Sequence, residues 1–453
     1  MRGLWMIGFA VCLITGCNLD NAGTVPPTDK LYFPVSVAVS PTAGGDAPSY
    51  LYVANANFDL RYNAGWIQTL DLDAIEAAMP DDCTDCDISD LSSVVVSNVR
   101  IGSQATDMAV STNGERLYVT VREDANLTTV NVDSATGELA CGGDGSFQEC
   151  SSRFREMNER SPDGETHSVS GEPVVINHGS IDSLQAGAEG EYILLAHRSG
   201  RITLLADGID TGDGSDPKNR VPFVVDTLGG FPRQLYGLRF DPATSMAWVT
   251  NAYASTVTRV GIAFDRDGGQ FENSHLYSAS APAISGVDDG SDTRDVIFDE
   301  FEDGRRRAYL LSRRPEAILV ASMDDGATPQ LKVERAIDIG LGPSRFEMLK
   351  ADVGGTQRTL LFASCYSSRD IYVVDPVRGE LEAVIHGANG PFDMALDPVR
   401  MRMYVADFRA SALRVVTLAP LFDCLENGAS ADESCAPRVL GTIGEATIVG
   451  GLF

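Results

Sequence analysis

The feature that most constrains the fold is a short β-hairpin pattern that recurs along the chain. The stretch "MAWVTNAYASTVTRV", residues 246 to 260, illustrates it, because two runs of alternating residues flank a small polar bend. Alternation with a period of two is typical of a half-buried β-strand, and a short polar turn between two such runs indicates a hairpin. The fold must therefore accommodate every copy of this unit.

Seven units are found when the chain is aligned on the central apolar residue of the first run. These residues are Val53, Val119, Leu194, Val249, Leu310, Phe362 and Val405. The spacing is uneven, because insertions rich in Gly, Asp and Ser separate several units. The shortest interval, from Phe362 to Val405, is close to the roughly 40 to 45 residues of a four-stranded propeller blade.

Each hairpin has another short run before it and one after it. In the last unit the four runs read "FDMALD", "RMYVAD", "ALRVVTL" and "RVLGTI". One such sheet cannot bury both of its faces, whereas seven sheets arranged radially can, because each packs on its neighbours. The sequence therefore predicts an all-β fold, a seven-bladed β-propeller of four-stranded antiparallel blades spanning residues 31–453. Two β-sandwiches are the rival all-β arrangement, and "LDAIEAAM" (72–79) is the one segment with a helical pattern.

Three of these segments carry a resemblance to a known family. "AWVTNAYASTVTRV", "LYVANANFD" and "IYVVDPVRGELEAVI" resemble the YVTN-type β-propeller repeats of exported bacterial proteins. In that family a hairpin is followed by a strand, an Asp and a Gly-containing turn. The resemblance covers essentially the whole mature chain as a degenerate repeat. It implies the fold rather than an activity, because this scaffold hosts many unrelated functions.

The N-terminus, "MRGLWMIGFAVCLITGC", reads as an export signal. Its apolar run is too short for a permanent membrane span, which needs about 20 residues. Its end resembles the bacterial lipobox, which implies that residues 1–16 are a lipoprotein signal peptide and that Cys17 carries the lipid. Residues 17–30 would then be a flexible tether. We expect a lipid-anchored protein of the bacterial cell envelope, with the outer membrane favoured over the inner because Asn18 follows the cysteine; an ordinary cleaved signal peptide is the alternative.

The remaining cysteines agree with an oxidising compartment. Six of the seven fall in close pairs around polar loops, as expected for local disulfides. The pairs are Cys83 with Cys86, Cys141 with Cys150, and Cys424 with Cys435. The "CTDC" segment is also compatible with a redox or metal motif, although no second CxxC or nearby His completes a zinc site. Cys365, within a predicted strand, is expected to be a buried, unreactive thiol.

A candidate binding site follows from the predicted first strands, which line the central channel of a propeller. The equivalent position near the start of each strand is occupied by Ser36, Asp107, Asp182, Gly237, Asp295, Arg345 and Asp393. Carboxylates this close resist joint ionisation unless a cation or an arginine shares the space. The ring is therefore either a Ca²⁺ or polar-ligand site, or a set of strand caps that bind backbone N–H groups.

Charge and motifs narrow the function. The net charge of −29 argues against nucleic acid and anionic lipid surfaces as partners. No Walker loop, dinucleotide fingerprint, nucleophile elbow or HExxH motif occurs. We therefore expect a monomeric binding or scaffold module for a protein or polymer partner rather than an enzyme, without a certain cofactor. The alternative is a Ca²⁺-dependent lactonase-like or hydrolase-like enzyme with its site in the channel.

Overall fold

The computed structural model describes most of the chain from residue 23 onwards. The described segments are 23–42, 45–123, 125–141, 149–150, 155–156, 169–180, 189–207, 222–252, 257–264, 274–279, 284–285, 292–301, 304–324, 330–427 and 435–446. The proposed signal peptide and Cys17 lie outside these segments. No helix among the described residues has the length and apolar character to cross a membrane.

The chain forms seven antiparallel sheets, each built mainly from four consecutive strands. The first sheet contains β1 Pro34–Val39, β2 Tyr50–Asn55, β3 Gly65–Asp71 and β4 Val95–Ile101. The second contains β5 Ala105–Val110, β6 Arg116–Val121, β7 Asn126–Val132, β8 Leu139–Ala140 and β9 Arg155–Glu156, and the third contains β10 Val169–Ser180, β11 Glu189–His197, β12 Arg201–Asp207 and β13 Phe223–Leu228.

The remaining four sheets repeat this order. The fourth contains β14 Leu235–Asp241, β15 Met246–Asn251, β16 Thr258–Ala263 and β17 His275–Ala279, and the fifth contains β18 Ile284–Ser285, β19 Asp292–Glu300, β20 Arg306–Arg314, β21 Glu316–Met323 and β22 Leu331–Asp338. The sixth contains β23 Pro343–Val353, β24 Thr356–Cys365, β25 Asp370–Asp375 and β26 Glu380–Ile385, and the seventh contains β27 Pro391–Asp397, β28 Arg402–Asp407, β29 Ala412–Thr417 and β30 Arg438–Ile443.

The innermost strands β1, β5, β10, β14, β19, β23 and β27 form a closed ring. Each packs on the innermost strand of the next sheet, and β27 packs on β1. The predicted seven-bladed propeller is therefore confirmed. The second and fifth sheets carry one extra short strand each: β9 pairs with β7, and β18 runs parallel to β22.

The alternating pattern places its apolar residues as predicted. All seven residues used to align the hairpins lie in the second strand of their sheets and are 0% exposed. The tyrosine that precedes the apolar residue in several units is also buried between sheets. Tyr118 donates a hydrogen bond to the Asp207 carboxylate of the third sheet (2.7 Å). Tyr309 lies in one buried cluster with Phe346 and Leu361 of the sixth sheet and donates to Asp299 of its own sheet (2.8 Å). Burying these aromatic side chains against the next sheet is what joins neighbouring blades.

A loop of the first sheet closes the ring onto the last strand. We call residues 80–88 the latch loop; it pairs with β30 through Cys86 N to Leu440 O (3.0 Å) and Ile88 N to Thr442 O (2.8 Å). The Cys83–Cys86 disulfide lies within it. All four strands of the seventh sheet come from one stretch of chain, so the first sheet contributes no strand to it. The latch loop and the packing of β1 on β27 join the first sheet to the seventh.

The helices differ slightly from the expectation. Helix α1, Leu72–Ala78, matches the predicted helical segment, and the Asp71 carboxylate caps it by accepting from Ala74 N (3.0 Å). A second helix, α2 Ala419–Glu426, was not predicted. It has Pro420 in its first turn, which favours a helix start, and it buries Leu421 and Phe422, so packing stabilises it without a side-chain cap.

One innermost strand was assigned to the wrong segment. The sequence predicts Asp182 near the start of the innermost strand of the third sheet, whereas β10 ends before that residue. The reason is packing: Val174 of β10 pairs with the buried Leu194 of the next strand, and this register aligns the apolar run "VVI" with β11. Asp182 itself lies outside the described residues.

The three predicted disulfides are formed, and the remaining cysteine is buried. The Cα atoms of Cys83 and Cys86 are 6.1 Å apart, those of Cys141 and Cys150 are 5.2 Å apart, and those of Cys424 and Cys435 are 5.6 Å apart. Cys365, the last residue of β24, is the free cysteine of the described segments and is buried as predicted. Burial raises its pKa to about 12.

Candidate functional site

Every innermost strand carries a β-bulge near its beginning. The register shifts just before, or at, the position that the sequence analysis assigned to the channel in the sheets of Ser36, Asp107, Gly237, Asp295, Arg345 and Asp393, and β10 shifts near its start as well. A bulge bends a strand and re-aims the side chain that follows it. This recurring bulge explains why these six side-chain positions face the channel region.

The centre of the ring is an ion pair that spans the channel. Arg345 of the sixth sheet binds the carboxylate of Asp107 in the second sheet through Nη2 and Oδ2, and both side chains are at least 95% buried. Ser36 Oγ and Met108 N both donate to the other carboxylate oxygen, each at 2.9 Å. Burial lowers the pKa of Arg345, and the negative charge of Asp393 opposes this effect. Asp107 is thus fully engaged by this chain's own donors.

The other predicted carboxylates are also tied to protein groups. Asp295 Oδ2 accepts from Arg239 (3.0 Å), and its Oδ1 accepts from Val296 N (2.8 Å). Asp393 accepts from Val37 N of the neighbouring first sheet at 3.0 Å. Among the described residues, no group of three or more His, Cys, Asp or Glu side chains is placed to hold a metal ion. These contacts match the strand-capping alternative, and the calcium site stays a prediction.

Gly237 occupies the fourth-sheet position for a packing reason. Its amide donates to Thr250 Oγ1 (2.8 Å), and that hydroxyl donates to the carbonyl of Arg294 in the fifth sheet (2.9 Å). A Cβ at Gly237 would overlap the same carbonyl oxygen. Glycine therefore permits the close approach of two sheets, and this position contributes no functional group to the ring.

The channel opens at one end into a cavity of about 580 Å³. Asp107, Arg239, Glu347 and Asp393 contribute charged side chains to it, and the rest of the lining is largely apolar. Glu347 lies 4.0 Å from Arg239, so its charge is partly compensated. The acidic residues on this side are thus largely paired or hydrogen-bonded within the protein.

The other end of the channel, where the innermost strands begin, holds a second cavity of about 320 Å³, which we call the mouth pocket. Five arginines from four sheets line it: Arg122, Arg198, Arg294, Arg313 and Arg345. Five aromatic residues complete most of the wall: Phe58, Tyr236, Tyr366, Phe392 and Phe408. None of the described lining residues is an Asp, Glu, His, Lys or Cys.

The five arginines differ in what already holds them. Arg345 binds Asp107, and Arg294 donates to Asp292 at 2.9 Å. Both of these guanidinium groups also lie over the ring of Tyr236, with their centres 5.4 Å and 4.7 Å from its centroid. The side chains of Arg122 and Arg313, in contrast, form no ion pair or hydrogen bond with another described residue. The pocket therefore holds positive charge that this part of the chain does not neutralise.

Sequence reasoning missed the mouth pocket, although the repeat contains its signal. Arg122, Arg198, Tyr366 and Phe408 each come directly after the first strand of a hairpin, which is the second strand outward from the channel, and Arg313 is the next-to-last residue of such a strand. The ends of equivalent strands meet at one face of a propeller. Had the hairpins been compared at this position, the cluster of arginine and aromatic side chains would have been visible.

The chain is similar in shape to several solved structures, but no known family is identified for it. No protein-family model and no curated protein matches the chain. Among solved structures, a Bacteroides fragilis protein described as a "putative 6-phosphogluconolactonase" is similar, with 15% identity, a TM-score of 0.48, and coverage of 77% of this chain and 82% of that one. The Pseudomonas aeruginosa periplasmic gluconolactonase PpgL has 17% identity, a TM-score of 0.47, and coverage of 78% and 84%.

A third similar structure is the hydrazine synthase of Kuenenia stuttgartiensis, with 14% identity and a TM-score of 0.44 over 87% of this chain and 97% of that one. Two of these proteins are named as lactonases and the third as a hydrazine synthase. At this level of similarity, no activity carries over from these proteins to this chain.

Proposed function

We propose that this propeller binds a small organic anion in the mouth pocket. The observation that supports this most directly is the contrast between the pocket and the chain: five arginines and no described acidic side chain line a cavity in a protein of net charge −29. Arginine recognises carboxylate and phosphate groups through paired, charge-assisted hydrogen bonds. An arginine-lined pocket in an acidic protein therefore favours an anionic ligand over a cation.

The shape of the site favours a small molecule. Ligand pockets are typically concave cavities of roughly 300 to 1,000 Å³, and the mouth pocket, at about 320 Å³, is at the lower end of that range. A protein or polymer partner, which the sequence analysis favours, would use a wider surface. The protein or polymer partner stays a prediction. The concave pocket supports a small ligand more strongly than a large one.

Lactone hydrolysis, the enzymatic alternative, would use the same binding step. Arginine side chains that hold a carboxylate can also stabilise the negative charge that develops on an attacked carbonyl oxygen. A hydrolase also needs a group that accepts a proton from water, and the described lining of the mouth pocket supplies no His, Asp or Glu. The anionic binding function therefore stands first, and hydrolysis is the second candidate.

Calorimetric titration with small carboxylates tests the binding proposal. Wild-type protein should bind a carboxylic acid and ignore its neutral amide. Each charge-assisted hydrogen bond contributes about 1.5–3 kcal/mol, so R122Q or R313Q should raise Kd by about tenfold or more. R335Q is the matched control, because Arg335 is an exposed residue of β22, on the outer side of the fifth sheet and absent from the pocket lining. Equal binding by wild type and R313Q would contradict the proposal.

We also propose that the protein is located at the bacterial cell envelope. Lipidation at Cys17 would hold the propeller at the cell envelope, and lipid chains give membrane affinity of about 0.8 kcal/mol per buried CH₂. The C17A variant should lose incorporation of labelled fatty acid and appear in the soluble fraction. Fatty-acid labelling of C17A equal to that of wild type would exclude Cys17 as the modified residue.

A further inference from the structure

The mouth pocket has two chemically different walls, and their arrangement identifies the class of ligand. Four arginines from the second, third and fifth sheets form one side, with Tyr236 of the fourth sheet among them, and four aromatic residues from the first, sixth and seventh sheets form the other. Arg345 of the sixth sheet crosses between the two sides to reach Asp107. We propose that the ligand is an aromatic carboxylic acid, with its acid group on the arginine side and its ring on the aromatic side. This inference rests on the proposed anion-binding function and narrows it.

The acid group is assigned to Arg122 and Arg313. Two other arginines of the pocket are already engaged, since Arg294 binds Asp292 and Arg345 binds Asp107. The side chains of Arg122 and Arg313 have no such partner among the described residues, and they project from β-hairpins of different sheets. A carboxylate with two oxygens can bind a guanidinium in a bidentate arrangement. Each of these two side chains therefore offers a position for the acid group.

The opposite wall consists of Phe58, Tyr366, Phe392 and Phe408. Their rings contact one another, with centroids 5.5 Å apart for Phe58 and Phe408 and 5.8 Å apart for Phe392 and Phe408. Phe408 is buried, whereas Phe58, Tyr366 and Phe392 are half-buried and line the cavity. Aromatic rings prefer offset-stacked or edge-to-face contacts with another ring. The wall therefore presents ring surface to a ligand.

This wall fits a polar ligand poorly. Of its four side chains only Tyr366 has a hydroxyl, and that oxygen already accepts from Arg409 Nε at 3.0 Å while the Arg409 guanidinium lies 4.5 Å from the ring centroid. A sugar acid placed here would bury hydroxyl groups against apolar rings, and burying a hydroxyl without a hydrogen-bond partner is unfavourable. A flat apolar ring avoids this cost, so the wall selects against polyhydroxy acids.

The test compares four small probes by calorimetric titration: benzoate, acetate, gluconate and the neutral benzamide. We expect benzoate to bind about tenfold more tightly than acetate and gluconate, and benzamide to bind at least tenfold more weakly than benzoate. The F392L variant should lower the affinity for benzoate about tenfold and leave that for acetate unchanged. The R313Q variant should weaken the binding of benzoate and of acetate, and R335Q should weaken neither.

The outcomes separate this inference from the function on which it rests. If acetate, gluconate and benzoate bind equally, or if F392L leaves benzoate binding unchanged, the aromatic acid is excluded while anion binding stands. If none of the acids binds wild-type protein, both proposals fail. Should F392L not fold, as judged by its melting temperature, F58L tests the same wall from the first sheet.

Discussion

Arg345 reaches across the axis of the propeller and pairs with Asp107, although the two residues belong to sheets that are not neighbours in the ring. Burying two opposite charges is costly, and the pair is stable only when its remaining hydrogen-bonding groups are satisfied. Ser36 and Met108 N meet that need for the carboxylate. The pair connects opposite sides of the channel and separates the mouth pocket from the larger cavity.

Breaking this ion pair should destabilise the fold. In R345M the buried Asp107 carboxylate loses its cation while Asp393 and Glu347 remain nearby, and removal of one partner of a buried pair costs about 3–5 kcal/mol. D107N should cost less, because those two carboxylates still offset the charge of Arg345. Urea unfolding measures both values. R335M, on an outer strand, should stay within about 0.5 kcal/mol of wild type, and an equally small change in R345M would show that the pair does not stabilise the ring.

The latch loop should be sensitive to any side chain at Gly441. A Cβ there would overlap the carbonyl oxygen of Cys86 and push the loop away from β30. Forced overpacking of this kind costs about 1–3 kcal/mol. Hydrogen exchange should therefore accelerate at Cys86 N and Ile88 N in G441A. G229A is the control, since a Cβ at Gly229 meets no atom within 4 Å. If the two variants exchange these amides at the same rate, the contact at Gly441 does not hold the latch loop on β30.

Stability should fall in mildly alkaline solution because of Cys365. Its pKa is raised from 9.0 to about 12 by burial, so this thiol contributes stability fully below pH 9 and loses that contribution as the pH rises toward 12. Above pH 9 the unfolded chain releases the thiol proton while the folded chain retains it. The free energy of unfolding should decline between pH 8 and pH 9.5, and less steeply in C365A. Identical slopes for C365A and wild type would contradict the assignment.

Calcium should have no effect on the melting temperature. Both oxygens of Asp107 are occupied by protein donors, and Asp393 accepts from a backbone amide, so a cation would have to displace these contacts. Melting curves with Ca²⁺ and with EDTA should superimpose. A Ca²⁺-dependent rise that disappears when D107N is combined with D393N would establish the calcium site that the sequence suggests.

The fold was predictable because the relevant information is local. Each hairpin signals its two strands by alternation and its turn by polar residues, and the buried position of Val249 or Val405 follows from that alternation alone. The third sheet was harder, since a long polar insertion separates Val132 from the hairpin around Leu194. Within such an insertion the position of a strand depends on packing against its neighbour, which the sequence does not display.

The site was less predictable because its partners are distant in sequence. The strand-start position groups Ser36, Asp107 and Arg345, and in the structure Asp107 contacts both of the others. The alternating pattern does not indicate that the Asp107 carboxylate forms an ion pair with Arg345 of the sixth sheet. The mouth pocket depends in the same way on how the strand ends of several sheets converge. Its lining residues, such as Arg122 and Arg313, can be recognised only when the geometry of the ring is known.

The most direct test of the proposed binding mode is a crystal structure of the protein grown with 4-bromobenzoate. We expect the carboxylate oxygens within about 3 Å of the Arg122 or Arg313 guanidinium, and the anomalous signal of bromine beside Phe392. A mouth pocket that contains only solvent at saturating ligand, or a ligand turned with its bromine toward the arginines, would contradict it.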